Sequence, residues 1–185
     1  MRRFLLMIII MVCAATPSWG KFATQVVAYE KIDYHEYTIM LDCNAANSDT
    51  VYHITVKDDG RVYRSKEAVM LLKLGGGEVV ELHPDSRWCM QEIDSMYYNN
   101  EGEPVFIYRD EMVYFHPIDR RTIEHIISKG VLKVRLELTS ATSWAEKTWK
   151  SDVWGKKLGI ALNDVEKQLS PDYVPPKKKT IYDGF

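Results

Sequence analysis

The chain lacks the short motifs by which most metal sites and nucleophilic sites are recognised. Its three cysteines form no CxxC pair, and no two of its five histidines have the spacing of a zinc-binding helix. A Gly-x-Ser-x-Gly sequence is also missing, which removes the main signature of the nucleophile-elbow serine hydrolases. We therefore expect no metal and no cofactor, and we identify no catalytic residue.

An excess of positive charge is also lacking. The chain carries 24 Lys and Arg residues against 26 Asp and Glu residues, a formal net charge of −2, and no basic stripe dominates it. A nucleic-acid partner is therefore not expected. Residues 4–12 form the one long apolar run, so we expect no stable membrane insertion once that segment has been removed.

Residues 1–20 have the layout of a cleavable signal peptide. Two arginines precede the apolar run 4–12, and small residues occupy the −3 and −1 positions before Lys21. Nine helical residues rise about 14 Å, against about 30 Å for the hydrocarbon core of a bilayer, which argues against an uncleaved anchor. We expect cleavage after Gly20, loss of Cys13 with the signal, and a periplasmic or secreted mature protein.

Cys43 and Cys89 are the cysteines that remain in the mature chain. In an oxidising compartment they are a candidate disulfide, worth roughly 4 kcal/mol on the chain-entropy model. The alternative is two small buried hydrophobic residues that never meet, since a sequence does not give the distance between two Cα atoms. Both alternatives stay open at this point.

Residues 112–138 predict a strand, a helix and a second strand with short connections. Asp119 is a good N-cap for the helix, and Gly130 provides the left-handed residue at which a helix ends. The strand that follows, residues 131–138, alternates apolar and charged side chains. The alternation predicts a core face of Leu132, Val134, Leu136 and Leu138 and a solvated face of Lys133, Arg135 and Glu137.

The whole pattern predicts an α+β fold: a largely antiparallel sheet, a helix between two strands, and a C-terminal helix packed on the sheet. We expect a signal peptide at 1–20, a single domain at 21–170 and an extended C-terminal tail at 171–185. Residues 42–49 predict a polar loop, and a turn at Arg109-Asp110 follows a short strand at 105–108. The predicted core includes Ile54, Leu72, Ile107, Phe115, Ile126, Val134, Leu136, Leu158 and Leu162.

A candidate binding surface comes from the solvated strand face and from the tryptophans that follow it. Lys133 and Arg135 would meet an anionic partner, and Trp144 and Trp149 would add an aromatic platform. The alternative is an ordinary solvated face, with the tryptophans anchoring a long loop to the body. The second reading is the commoner arrangement in proteins.

Four short stretches resemble a group of small exported proteins of unknown function from gut Bacteroidales. They are DTVYHI at 49–54, MLLKL at 70–74, GVLKVRL at 130–136 and WGKKLG at 154–159. The resemblance covers well under half of the chain and is best at 130–136. It implies an exported protein of a Gram-negative envelope, and it brings no known activity and no catalytic residues.

Two classes of function compete. We favour a non-catalytic envelope or secreted protein that binds a protein or another envelope component, since an exported domain without a recognisable constellation gives little support to catalysis. The alternative is an exported hydrolase whose site cannot be read from the sequence. A deep pocket with convergent titratable side chains would favour the hydrolase, and a flat polar or aromatic surface would favour the binding protein.

Overall fold

Antiparallel strands dominate the computed structural model of the chain, which describes residues 21–32, 35–46, 49–58, 68–137 and 144–175. The strands in these ranges are β1 (Lys21–Ile32), β2 (His35–Ala46), β3 (Asp49–Asp58), β4 (Met70–Leu74), β5 (Val79–Leu82), β6 (Ser86–Tyr98), β7 (Pro104–Ile118), β8 (Val131–Glu137) and β9 (Trp144–Thr148). The helices are α1 (Arg120–Lys129) and α2 (Trp154–Leu169). The predicted signal peptide and residues 176–185 of the predicted tail lie outside the described residues.

The strands form two sheets rather than one. Sheet A has the order β1-β2-β3-β7-β6, sheet B has the order β5-β4-β8-β9, and neighbouring strands in both are antiparallel. One hydrophobic core takes side chains from both sheets and from both helices. The predicted α+β class with largely antiparallel pairing is therefore confirmed.

The chain around α1 folds as its local sequence predicts. Asp119 Oδ1 accepts a hydrogen bond from the backbone N–H of Thr122 at 2.9 Å, which satisfies one of the free donors of the first turn. Gly130 has a φ of 71°, and its N–H donates to the carbonyl oxygen of Ile126 at 2.8 Å. Cap and stop signal are therefore both confirmed.

The alternation predicted for residues 131–138 holds in the middle of β8 and fails at the two ends of this strand, and Leu138 lies outside the described residues. Val134 and Leu136 are buried, as predicted. A register shift against β4 next to Leu74 turns Val131 into the core and leaves Leu132 half-buried. Glu137 was predicted to be solvated but is buried, because its Oε2 accepts from the N–H of Val69 at 3.2 Å.

The predicted polar loop at 42–49 is wrong at 42–46 and at Asp49, where β3 begins, and residues 47–48 lie outside the described residues. β2 continues to Ala46 and pairs with β3 along that length. Asp42 is buried in this part of β2, where its Oδ2 accepts from the hydroxyl of Thr55 at 2.6 Å. A cross-strand side-chain bond of this kind lets a polar residue lie inside a strand.

The predicted core is confirmed at most of its positions. Ile54, Leu72, Ile126, Val134, Leu136, Leu158 and Leu162 are all buried. Phe115 is half-buried, and the prediction for Ile107 is wrong, since 46% of that residue is exposed. The turn predicted at Arg109-Asp110 is also absent, because β7 runs without a break from Pro104 to Ile118.

Part of the β6–β7 ladder extends beyond the rest of sheet A. β3 pairs with β7 only from Met112 to Ile118, so within the described chain residues 104–111 pair with β6 alone. We call residues 90–98, residues 104–111 and the loop between them the arm. Asn99 orders this loop, because its Oδ1 accepts from the backbone N–H groups of Glu101 and Glu103, each at 2.9 Å.

Across the described ranges, no helix is both long enough and apolar enough to cross a membrane.

Candidate functional site

The histidines with described side chains are each engaged in a separate local contact. His53 lies 3.3 Å from Asp85, His83 2.9 Å from Glu81, and His125 2.8 Å from Glu78; His116 is buried with its ring nitrogens 3.0 Å from the carbonyl oxygens of Ile54 and Ala68. Among the residues that the structure describes, no group of three His, Cys, Asp or Glu side chains could hold a metal ion.

Sheet B positions the predicted basic residues on its outer surface. The buried residues of β4 are Met70, Leu72 and Leu74, so Leu71 and Lys73 between them face outward. Lys73 pairs with Lys133 and Leu71 pairs with Arg135 across the β4–β8 ladder. Together with Val79 these four side chains line a cleft of about 210 Å³, and we call the five residues the basic face.

One carboxylate is already bound beside this cleft. Glu146 of β9 accepts from Lys133 Nζ at 2.8 Å and from Arg135 at 2.7 Å (Nη2) and 2.8 Å (Nε). Hydrogen bonds from Lys133 and then Arg135 hold the pKa of the Glu146 carboxyl below its usual range. Lys133 and Arg135 therefore bind a carboxylate together.

The two predicted tryptophans lie in different surroundings. Trp144 lies beside the basic residues, because the Arg135 guanidinium is 5.6 Å from the centre of its ring. Trp149 instead packs toward the core, with its ring 6.0 Å from that of Trp154 and with Lys147 Nζ 5.8 Å from its centre. Three of the four predicted surface residues, Lys133, Arg135 and Trp144, are thus brought together.

Sequence reasoning missed Lys73, Val79 and Glu146 as parts of this surface. Each lies on a different strand from Lys133 and Arg135, and only the β4–β5, β4–β8 and β8–β9 ladders bring them together. The alternation of MLLKL does place Lys73 outward, but it does not identify the neighbouring strand. The sequence therefore indicated that Lys73 faces outward, but it did not indicate which residue lies beside it.

The arm is a second unusual surface. Seven of its large apolar side chains are between 43% and 65% exposed: Ile93, Met96, Tyr97, Tyr98, Phe106, Ile107 and Tyr108. Contiguous apolar exposure is uncommon in monomers and marks interaction sites. The sequence did not reveal it, because aromatic and β-branched residues favour strands whether or not anything covers them.

A polar cleft of about 500 Å³ lies where β1 and β2 meet the base of the arm. Two of its three buried acids, Glu30 and Glu111, belong to ion pairs within the fold, and the third is Asp58. Glu30 accepts from Lys147 Nζ at 2.7 Å and from Trp154 Nε1 at 3.3 Å, and Glu111 pairs with Lys57. These contacts join β1 to β9 and α2, and β3 to β7, which is a structural role.

Cys43 and Cys89 are both free thiols in the structure, so the candidate disulfide is not formed. β3 and β7 lie between their strands, and three strand spacings amount to about 14 Å, well beyond disulfide reach. Burial raises the pKa of the Cys43 thiol to about 11, whereas Cys89 is exposed. Cys43 therefore behaves as a small core residue.

Comparison with known proteins gives no family for this chain. No protein-family model matches it, and searches of curated proteins and of solved structures return no match. A function must therefore be inferred from the geometry of the basic face and of the arm.

Proposed function

We propose that the chain is an exported, non-catalytic binding protein whose basic face takes an acidic segment of a partner protein in the envelope or outside the cell. In this proposal residues 1–20 are removed on export. The helix between β7 and β8, together with the C-terminal helix packed on the sheet, holds the sandwich of strands rigid behind the face.

The observation that carries this proposal is the binding of Glu146 by Lys133 and Arg135. An Arg–carboxylate contact through two guanidinium nitrogens has a defined geometry and is stronger than a neutral hydrogen bond. Lys73 lines the same cleft, whose five lining residues include no carboxylate. Lys133 and Arg135 bind Glu146, and Glu81 lies opposite Leu71 on the same face, so the three cations of the cleft outnumber the two neighbouring carboxylates and leave it positively charged.

The chemistry of the cleft favours a peptide over an anionic membrane surface. Leu71 and Val79 place aliphatic surface beside the three cations, which suits a segment that alternates acidic and apolar side chains. The whole chain is net negative, so an extended anionic bilayer would repel it, whereas a short segment meets mainly the local field.

Fluorescence anisotropy with a fluorescein-labelled peptide of alternating glutamate and leucine tests the proposal. Lys73→Gln and Arg135→Gln should each weaken binding by roughly 2- to 5-fold, the factor for an exposed ion pair of about 0.5–1 kcal/mol. Glu146→Gln should tighten binding, because it releases Lys133 and Arg135 for the peptide. Added salt should weaken all of these interactions.

Lys156→Gln is the matched control, because Lys156 is an exposed cation on α2, away from the basic face. It changes the net charge by the same amount as Lys73→Gln and should leave the affinity unchanged. Equal weakening by the two variants would mean that net charge alone attracts the peptide. A Glu146→Gln variant that binds no tighter would remove the basis of the proposal.

A further inference from the structure

The arm is a two-stranded ribbon for which the described chain supplies no third strand. Residues 90–98 pair with residues 104–111, and β3 stops pairing at Met112. Isolated two-stranded ribbons are marginally stable in water and usually need a further strand or a packed face. Cover over the exposed apolar side chains of the arm would therefore stabilise it.

One side of the arm carries most of its exposed apolar surface. The ladder places Met96 opposite Phe106, Ile93 opposite Tyr108, and Tyr98 opposite Pro104. Directly opposed residues share a face, and alternate residues along a strand do so too. We define the arm face as the five exposed large apolar side chains on this side: Ile93, Met96, Tyr98, Phe106 and Tyr108.

The arm face continues a surface that is buried elsewhere in sheet A. By alternation along β7 it lies on the same side as Tyr114, His116 and Ile118, all of which are buried in the body. The two remaining exposed apolar residues, Tyr97 and Ile107, lie on the opposite side of the arm. The arm thus carries a core-like surface past the point where the body covers it.

The size of the arm face matches what one partner contributes to a standard interface. Large side chains of roughly 200 Å² that are about half exposed give the five residues an apolar area on the order of 500 Å². A standard interface buries about 800 Å² per partner, of which about 57%, or roughly 450 Å², is apolar. An apolar face of equal size on the partner is therefore enough to complete an interface of standard size.

We propose that this equal face belongs to a second copy of the chain, and that two arms pack face to face as a small four-stranded sandwich. Two-fold pairing of the same patch on both subunits is the commonest way in which soluble chains associate. The five residues of the face are uncharged, and Asp110, the acid on the same side of the arm, accepts from Gln91 Nε2 of its own ladder at 3.1 Å. Glu101 and Glu103 at the tip disfavour the alternative of insertion into an anionic membrane.

This pairing leaves the basic face untouched, because the basic face lies on sheet B and the arm belongs to sheet A. The homodimer is therefore independent of the proposed acidic partner. Peptide binding reports on the basic face, and the oligomeric state of the purified protein reports on the arm. Either proposal can fail while the other holds.

Light scattering after gel filtration of the purified mature chain tests the proposal. A protein concentration of about 10 μM lies above the micromolar dissociation constants of the weakest interfaces of this size. We expect twice the mass of a single chain. Tyr98→Lys should reduce the mass to that of one chain, with an unchanged circular dichroism spectrum. A wild-type protein that is monomeric at this concentration overturns the proposal, and so does a Tyr98→Lys variant that stays dimeric.

Two controls tie the result to the arm face. Tyr29→Lys changes an even more exposed tyrosine, at 76%, on β1 at the other edge of sheet A, and Tyr97→Lys changes the opposite side of the arm. Both variants should remain dimeric. Loss of the dimer in Tyr29→Lys would overturn the proposal, and equal loss in Tyr97→Lys would overturn the assignment of the face.

A photocrosslinker gives a readout that does not depend on how well a lysine variant folds. Replacement of Phe106 by p-benzoylphenylalanine keeps an aromatic side chain on the arm face. Irradiation of the purified protein should give a covalent dimer, whereas the same replacement at Tyr29 should give none. Absence of the covalent dimer at Phe106 overturns the proposal.

Discussion

At the scale of single residues, β8 separates a core position from a surface position three residues away in the chain. Leu136 is fully buried, and its replacement by alanine should lower the free energy of unfolding by roughly 2–5 kcal/mol. Lys133 is half-buried and binds Glu146 through an exposed ion pair, so Lys133→Ala should change stability by less than about 0.5 kcal/mol. Urea unfolding measures both, and similar effects at the two positions would contradict the assigned facing of β8.

Local signals in the sequence predict single residues well where a contact lies within a few positions of the chain. Asp119 caps α1 through Thr122, three residues on, and the capping residue type is enough to anticipate this. The burial of Glu137 is different, because it depends on the backbone N–H of Val69, which is distant in sequence. Alternation predicts that the Glu137 side chain faces solvent, and no local signal indicates that a backbone donor lies close to it.

At the scale of elements, the junction between α1 and β8 depends on a glycine. A Cβ at Gly130 would lie 2.6 Å from Asp152 Cβ, and the φ of 71° is unfavourable for other residues. Gly130→Ala should therefore destabilise by roughly 2–5 kcal/mol, since overpacking of about 1–3 kcal/mol adds to backbone strain of about 1–2 kcal/mol.

Gly77→Ala is the matched control for Gly130→Ala. Gly77 also has a positive φ, of 91°, but a Cβ there would meet nothing within 4 Å. Thermal unfolding should show a smaller loss for Gly77→Ala, which carries the backbone strain alone. Equal losses would mean that Asp152 moves aside without cost.

The length of β7 could not be predicted from its own residues. Arg109-Asp110 interrupts an apolar run and indicates a turn, yet β6 pairs with β7 continuously past this point. Ile107 was predicted to lie in the core because its residue type favours a buried strand. The length of β7 is set by its ladder with β6 and not by the residue types at 109 and 110.

At the scale of the whole molecule, one carboxylate links three elements. Glu166 of α2 accepts from Arg120 Nε of α1 at 2.7 Å and from the Tyr52 hydroxyl of β3 at 3.0 Å. The Arg120 guanidinium lowers the pKa of the Glu166 carboxyl, against an opposing effect of burial, and Tyr52 lowers it further. The folded state therefore favours the ionised form of Glu166.

Glu166 should accordingly stabilise the fold in a pH-dependent way. Its folded pKa lies below the usual glutamate value, so the stabilisation is complete above about pH 4.5 and is lost as the pH falls through the folded pKa. The melting temperature of Glu166→Gln should lie below that of the wild type at pH 7, and the gap should close on acidification. A gap that is constant from pH 7 to pH 3 would contradict this role.

The division into two sheets was the least predictable property of the whole chain. Antiparallel pairing and the α+β class follow from alternation and turn signals, and both are confirmed. The ladders that define the sheets join β3 to β7 and β4 to β8 across long stretches of sequence. The basic face also depends on ladders, since Lys133 and Arg135 were identified whereas Lys73 reaches them through the β4–β8 ladder and Glu146 through the β8–β9 ladder.

The β6–β7 ladder differs from the β3–β7 and β4–β8 ladders because its paired residues are close in sequence. Tyr98 pairs with Pro104 across a single short loop. Hairpins of this kind form in about 1–10 μs, whereas β-rich domains held by distant pairings take milliseconds to seconds. The arm can therefore form, as a marginally stable hairpin, while the rest of the chain is still being assembled. Arms of separate molecules can then meet before either body is complete, which makes the yield of refolding depend on protein concentration.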